Sequence, residues 1–334
     1  MIHKREVTEP EPAVSVLLPV YNGDQHLGRA IRSVLDQTLS NVELLIVDDG
    51  STDDTAEVVA SYAHDPRLRV VRHERNLGLV ASLNDGLAAC RAELVARLDA
   101  DDVALPTRLE RQRAMFEEQA DLVLCASAYR RVLPSGEVLR TASPPLTHGG
   151  LAMAMLTGNR LCHSTVMFRR SIVLALGGYD AAWFPVEDYD LWLRMLEVGR
   201  YAGMGTVEVD YLENPEGISA SAAAVQQRLR AARTGAYRES VAGPGPVPEP
   251  SATRDELRSI DRSRRLLRRR LTGRGIELDG VDEMAYRAAL SQTVGRHRLV
   301  RHFLVATTTP RLWLRGALDA RVHRREDAVS PPTD

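Results

Sequence analysis

From Val14 onward, short wholly apolar runs alternate with segments whose apolar residues recur every three or four positions. VSVLLPV (14–20), VELLIV (42–47), RLRVV (67–71), ELVARL (93–98) and DLVLCAS (121–127) read as buried strands. Between them, QHLGRAIRSVLDQT (25–38) places Leu27, Ile31, Val34 and Leu35 on one helical face, and Leu79, Leu83 and Leu87 mark a helix over 79–90. STDDT supplies N-caps and first-turn acids for a helix through AEVVASYA, and Pro106 takes a first helical position in LPTRLERQRAMFEEQ. Strands alternating with helices imply right-handed crossovers and a mainly parallel α/β sheet with helices on both faces. Ligands of such sheets bind outside the carboxyl ends of the strands.

After residue 130 the pattern changes. RVLPSGEVLR predicts a hairpin, STVMFRR (164–170) a strand and 203–212 a closing strand. EDYDLWLRMLEVG (187–199) predicts a helix with Leu191, Met195 and Val198 inward. VAGPGPVPEP (241–250) has the composition of a linker. The expected organisation is a catalytic α/β domain over 12–220, a helical extension over 221–240, a Pro/Gly linker over 241–252 and a basic helical region over 253–326. Charge follows this division. Residues 221–334 carry 22 Arg/Lys against 13 Asp/Glu, and the remainder carries 21 against 32. An acidic body and a basic tail suggest two regions with different partners.

Of the 334 residues three are cysteines, Cys90, Cys125 and Cys162, without metal-ligand spacing, which predicts reduced core thiols. The polar start MIHKREVTEPEP lacks a leader's apolar stretch, and no apolar run reaches the roughly 18 residues that span a bilayer. The expected location is the cytoplasm, with peripheral contact at the inner face of the membrane as a role for the tail. Arg264, Arg265, Arg268, Arg269 and Arg270 surround Leu266, Leu267 and Leu271 there. Packing of these helices on the acidic body, in folding or dimerisation, is the plain reading and stands ahead of the membrane one; nothing else in the chain suggests nucleic acid as a partner.

ARLDADD (96–102) gathers Asp99, Asp101 and Asp102 after a strand, and Asp48 and Asp49 end another. Clustered carboxylates are costly unless a cation joins them. A solvated acidic turn is the plain reading of one such pair, but two pairs at the ends of neighbouring strands would share a crevice. D-x-D in an extended chain aims Asp99 and Asp101 the same way, and two hard oxygen ligands suit Mg²⁺ or Mn²⁺ with substrate phosphates completing the shell. There is no G-x-G-x-x-G, P-loop or H-E-x-x-H. Phosphate charge is then met by the metal, by scattered arginines and by backbone N–H groups, which fits a nucleotide diphosphate leaving group.

PVYNG (19–23), VDDGSTDDT (47–55), NLGLVASLNDGL (76–87), ARLDADD (96–102), HSTVMFRR (163–170), GGYD (177–180) and EDYDLWLR (187–194) occur in that order. Together they resemble the inverting family 2 glycosyltransferases of the GT-A fold, especially bacterial enzymes of surface-polysaccharide synthesis, over roughly residues 12–220. The resemblance implies a nucleotide-sugar donor, a UDP-sugar by preference, a divalent cation (Mn²⁺ or Mg²⁺), and a saccharide or lipid-linked acceptor. It implies that Pro19 and Tyr21 pack on the base and that Asp49 accepts from the uracil N–H edge. Asn76 belongs to the same donor site. Asp99 faces the ribose or metal, and Asp101 is the principal metal ligand. Asp188, paired with Glu187, is the catalytic base. Trp192 reads more readily as core than as a sugar platform. His163, Arg97 and Arg72 remain open between substrate contacts and strand-edge roles.

The sequence departs from this pattern at YLENPEGIS (211–219), where relatives carry Tyr-Arg-x-His: Leu212 stands at the Arg position and Asn214 at the His position. The expected function is therefore a metal-dependent inverting glycosyltransferase. The alternative is a catalytically weak or inactive nucleotide-sugar-binding protein of the same fold. A sugar nucleotidyltransferase would need a Gly-rich basic triphosphate loop near the start, and LLPVYNGDQHL has none.

Overall fold

A computed structural model describes residues 11–213 and 222–242. Strand β1 (Val14–Val20) lies at the centre of a parallel group, paired with β2 (Val42–Asp48) on one side and β4 (Leu94–Arg97) on the other, with β3 (Leu68–Arg72) outside β2. Side-chain alternation covers both faces. Val14, Val16, Leu18 and Val20 share one core with Leu27, Ala30, Ile31 and Val34 of α1 (Asp24–Leu35). Leu17 and Val47 point the other way, under α3 (Leu79–Ala89), which approaches closely because Gly86 presents no side chain; a Cβ there would overlap Leu17.

The sheet continues antiparallel from β4 through β8 (Val166–Arg169) to β6 (Leu122–Val132), and β9 (Arg200–Leu212) then runs parallel to β6. The short β5 (Val103–Ala104) closes on β9, and β7 (Val138–Ala142) forms a hairpin with β6. The strand order is β3-β2-β1-β4-β8-β6-β9-β5, with β7 beside β6. Helix α2 spans Thr55–Ala60, α4 Arg108–Glu118, α5 His148–Met155, α6 Arg170–Ala175, α7 Glu187–Leu196 and α8 Ala223–Ala242. No helix among the described residues is long and apolar enough to cross a membrane. The basic region over 253–326, the 243–252 part of the linker and Asn214 lie outside the described residues.

Several local expectations need correction. β2 and β4 are not neighbours, because β1 lies between them. Helix α4 is capped at Thr107, so Pro106 falls before the cap, where its carbonyl takes the Thr38 N–H at 2.9 Å. Val198 is exposed, because α7 ends at Leu196 and the turn carries Val198 away from the buried face that holds Leu191 and Met195. The N-cap of α2 is Asp54, whose side chain makes no capping hydrogen bond, and the STDDT residues brace the preceding loop instead. Ser51 Oγ, Thr55 Oγ1 and Asp53 Oδ2 accept the N–H groups of Asn22, Gly23 and Asp24, which binds the loop after β1 to the loop after β2.

Candidate active site

A cavity of about 1020 Å³ opens at the carboxyl ends of β1, β2 and β4 and extends to β6, β9, α7 and α8. Pro19, Tyr21, Asp49, Asn76, Arg97, Asp99, Asp101, Glu187 and Asp188 all line it. Asp48 does not, because alternation along β2 turns it aside, and it holds Ser51 N–H and Arg72 instead, at 2.9 and 3.3 Å. Arg72 therefore serves the strand edge.

At the β2 end, Asp49 is buried and accepts Leu77 N–H on Oδ1 and Gly78 N–H on Oδ2, both at 2.8 Å, while His73 Nδ1 sits 2.7 Å from Oδ1. Burial alone would raise the Asp49 carboxyl, but these hydrogen bonds outweigh it and hold the group below the usual carboxylate range. The 75–78 loop reaches Asp49 because Gly50 lies under it at φ 71°; a Cβ there would sit 2.5 Å from the Arg75 carbonyl carbon. Tyr21, half exposed, stands across the same end of the cavity.

Past β4 the chain turns rather than running extended, and Asp102 N–H closes on the Asp99 carbonyl at 3.2 Å. The turn, not strand alternation, is what gathers the acids. One carboxylate oxygen each of Asp99, Asp101 and Asp102 lies within 4.8 Å of the others. Ser164 Oγ donates to Asp99 Oδ2 at 2.9 Å and accepts the Asp99 N–H at 3.0 Å. The buried Arg97 guanidinium pairs with Asp99. Burial would raise Asp99, but Arg97 overrides it and holds the carboxyl low. Asp102 is fully buried; Leu212 N–H donates to its Oδ1 at 2.8 Å, and its Oδ2 has no partner among the described residues. Burial, with Asp99 and Asp101 beside it, pushes its pKa well up. Three clustered carboxylates, one of them with a buried oxygen that lacks a partner among the described residues, have the chemistry that suits a divalent cation. Leu212, which departs from the family pattern, thus anchors the acidic turn through its backbone.

At the α7 end, Glu187 is buried, with Oε2 lacking a hydrogen-bond partner among the described residues. Burial and then the neighbouring Asp188 push its carboxyl up to about 7. Asp188 is more open. Its Oδ1 accepts Tyr189 N–H at 2.6 Å and its Oδ2 accepts the Asn159 amide at 2.8 Å. Burial raises its pKa, opposed in part by the Tyr189 N–H, by Arg230 of α8 and by Asn159. His163 lines the cavity with Nε2 2.9 Å from Tyr179 Oη and its ring against Trp192; burial, and then Arg97, push its pKa well down. Trp192 is wholly buried in the core.

His73, Asn159 and Arg230 escaped sequence reasoning. Each is a lone polar residue without motif spacing, brought in by a strand end, a loop and a distant helix. A nearer inspection of HER after strand three could have singled out His73 as a partner for the acidic pair.

The sequence pattern of "Glycosyl transferase family 2" matches residues 15–177. The O-antigen biosynthesis glycosyltransferase WbnJ of Escherichia coli is 34% identical over 186 residues, covering 55% of this chain and 71% of WbnJ. The chain belongs to glycosyltransferase family 2, and it is a glycosyltransferase of the GT-A fold. Residues 1–349 of S. aureus TarS in complex with UDP-GlcNAc superpose with a TM-score of 0.57 at 18% identity, covering 83% of this chain and 79% of that one. The mannosyltransferase PcManGT of Pyrobaculum calidifontis, in complex with GDP-Man and Mn²⁺, gives 0.53 at 17% identity, covering 93% and 91%.

Proposed function

We propose that this chain transfers a sugar from a nucleotide-diphosphate sugar, a UDP-sugar by preference, to an acceptor hydroxyl, with inversion, in surface-polysaccharide or glycoconjugate synthesis. The observation that carries the reading is one cavity holding three distinct acidic stations: Asp49 at the end of β2, Asp99 and Asp101 after β4, and Glu187 with Asp188 at the start of α7. UDP-GlcNAc in TarS, GDP-Man with Mn²⁺ in PcManGT and the O-antigen role of WbnJ support the donor class, the cation and the biosynthetic setting.

In this reading Tyr21 and Pro19 pack on the base, Asp49 accepts from its N–H edge, and Asn76 lies beside it. Asp101 and Asp99 would hold Mn²⁺ or Mg²⁺, which neutralises charge that builds on the leaving diphosphate. Arg97 keeps Asp99 ionised and aimed. Asp188, oriented by Asn159, takes the acceptor hydroxyl proton as that oxygen attacks the anomeric carbon from the face opposite the diphosphate. The bond from that carbon to the diphosphate oxygen breaks, and its electron pair leaves with the nucleotide. Incubation with a panel of UDP-, GDP- and TDP-sugars and Mn²⁺, with assay of free nucleotide diphosphate, tests the reading. Release from one donor supports it; release from none, in protein that binds nucleotide, overturns transfer, and absence of nucleotide binding overturns the donor site as well.

A further inference from the structure

The cavity has two halves of different build. Asp49, Tyr21 and Asn76 stand over the parallel strands, whereas the other half is walled by β6, β9, α7 and α8. On that second side Phe184 lies at the rim with 44% of its surface exposed. A large apolar ring left open to water beside a polar cavity forgoes burial that a ligand would supply.

The surroundings of Phe184 are fixed. Its neighbour Trp183 carries the Arg233 guanidinium of α8 5.3 Å from its ring centroid. Arg233 Nε also donates to Asp190 Oδ1 at 2.6 Å, and Thr234 Oγ1 lies 3.0 Å from Tyr189 Oη. These contacts pin α8 to α7 beside the rim. One and two turns earlier on α8, Arg230 and Gln226 reach the cavity, and Arg230 donates to Gln226 Oε1 at 3.1 Å. Across from them stands Asn159, whose amide reaches Asp188. Glu187, buried with an unsatisfied Oε2, faces the same space.

An exposed aromatic ring in one cavity with two amides and a guanidinium has the chemistry that recognises a sugar ring. The axial C–H face of a pyranose lies on the aromatic ring, and its neighbouring hydroxyls pair with planar polar side chains. We propose that Phe184, Asn159, Gln226 and Arg230 form an acceptor subsite for a pyranose, with α8 as its outer wall. Helix α8 lies beyond residues 15–177, outside the segment that the family pattern matches. The proposal rests on the transferase reading above, because the subsite sets a ring hydroxyl beside Asp188.

The full-length protein, loaded with UDP or GDP and Mn²⁺, is titrated with the methyl glycosides of glucose, galactose, mannose and N-acetylglucosamine under saturation-transfer NMR. At least one glycoside should receive saturation through its C–H protons. Phe184→Ala and Arg230→Met should each weaken that binding by about tenfold or more, with nucleotide affinity in the same samples within about twofold of the parent. Nucleotide binding without any glycoside binding, or glycoside binding unchanged in both variants, overturns the subsite and leaves the transferase reading standing. Absence of nucleotide binding overturns both.

Discussion

The side-chain amide of Asn159 donates to Asp188 Oδ2 at 2.8 Å, while its own carbonyl oxygen takes the Leu161 N–H at 3.1 Å. The second contact fixes which end of the amide faces Asp188, so Asp188 is presented with an N–H donor and is held as an acceptor. A hydrogen bond to a charged group contributes about 1.5–3 kcal/mol. Asn159→Ala should therefore lower kcat by roughly 10- to 100-fold and leave nucleotide affinity near the parent value. Asn159→Asp, which sets a second negative charge there, should also move the acid limb of the pH–rate profile to higher pH. A shared loss of nucleotide affinity in both variants would mean that Asn159 only supports the loop.

Glu187 and Asp188 make a pH prediction. Burial, then Asp188, raises the Glu187 carboxyl to about 7. The pair is fully ionised only above that value, so kcat/KM should fall as pH drops through about 7, and Glu187→Gln should shift this limb downward. Stability follows the opposite sense. A carboxyl raised by folding binds its proton more tightly in the folded chain. Its contribution is complete below its ordinary value and is lost as pH rises through about 7. Glu187→Gln should thus lie close to the parent at pH 4 and exceed it at pH 8, by on the order of 1–3 kcal/mol. Denaturant melts at the two pH values check this; equal differences at both would place the cause elsewhere.

The acidic turn predicts cation dependence. Asp101→Ala should leave a folded protein with little or no nucleotide release, and Asp101→Asn should be nearly as poor, since a neutral amide is a weaker Mg²⁺ or Mn²⁺ ligand. Chelator should silence the parent. Full turnover in excess EDTA would remove the metal from the account.

Much of this was legible along the chain, because buried strands and amphipathic helices announce themselves through spacing. The runs at 14–20 and 42–47 correspond to β1 and β2, and the hairpin around Pro-Ser-Gly joins β6 to β7. Sheet order was less legible. Nothing local says that β1 separates β2 from β4, since strand order is decided by crossovers and not by any one segment. The acids of ARLDADD were found, but their convergence through a turn depends on Ser164 and Arg97, and Ser164 is 65 residues from Asp99 in sequence. Asn159 and Arg230 had no periodicity or motif to mark them, because each works through a single long-range contact.

The central claim is that this cavity carries out transfer and not merely nucleotide binding, and Asp188 separates the two. The measurement is nucleotide-diphosphate release by Asp188→Asn beside the parent, on the best donor and with Mn²⁺, with nucleotide affinity read on the same preparations. The account predicts nucleotide affinity close to the parent's and kcat lower by roughly 10²–10⁴, the range for losing a general base. Release at the parent rate by Asp188→Asn would contradict it.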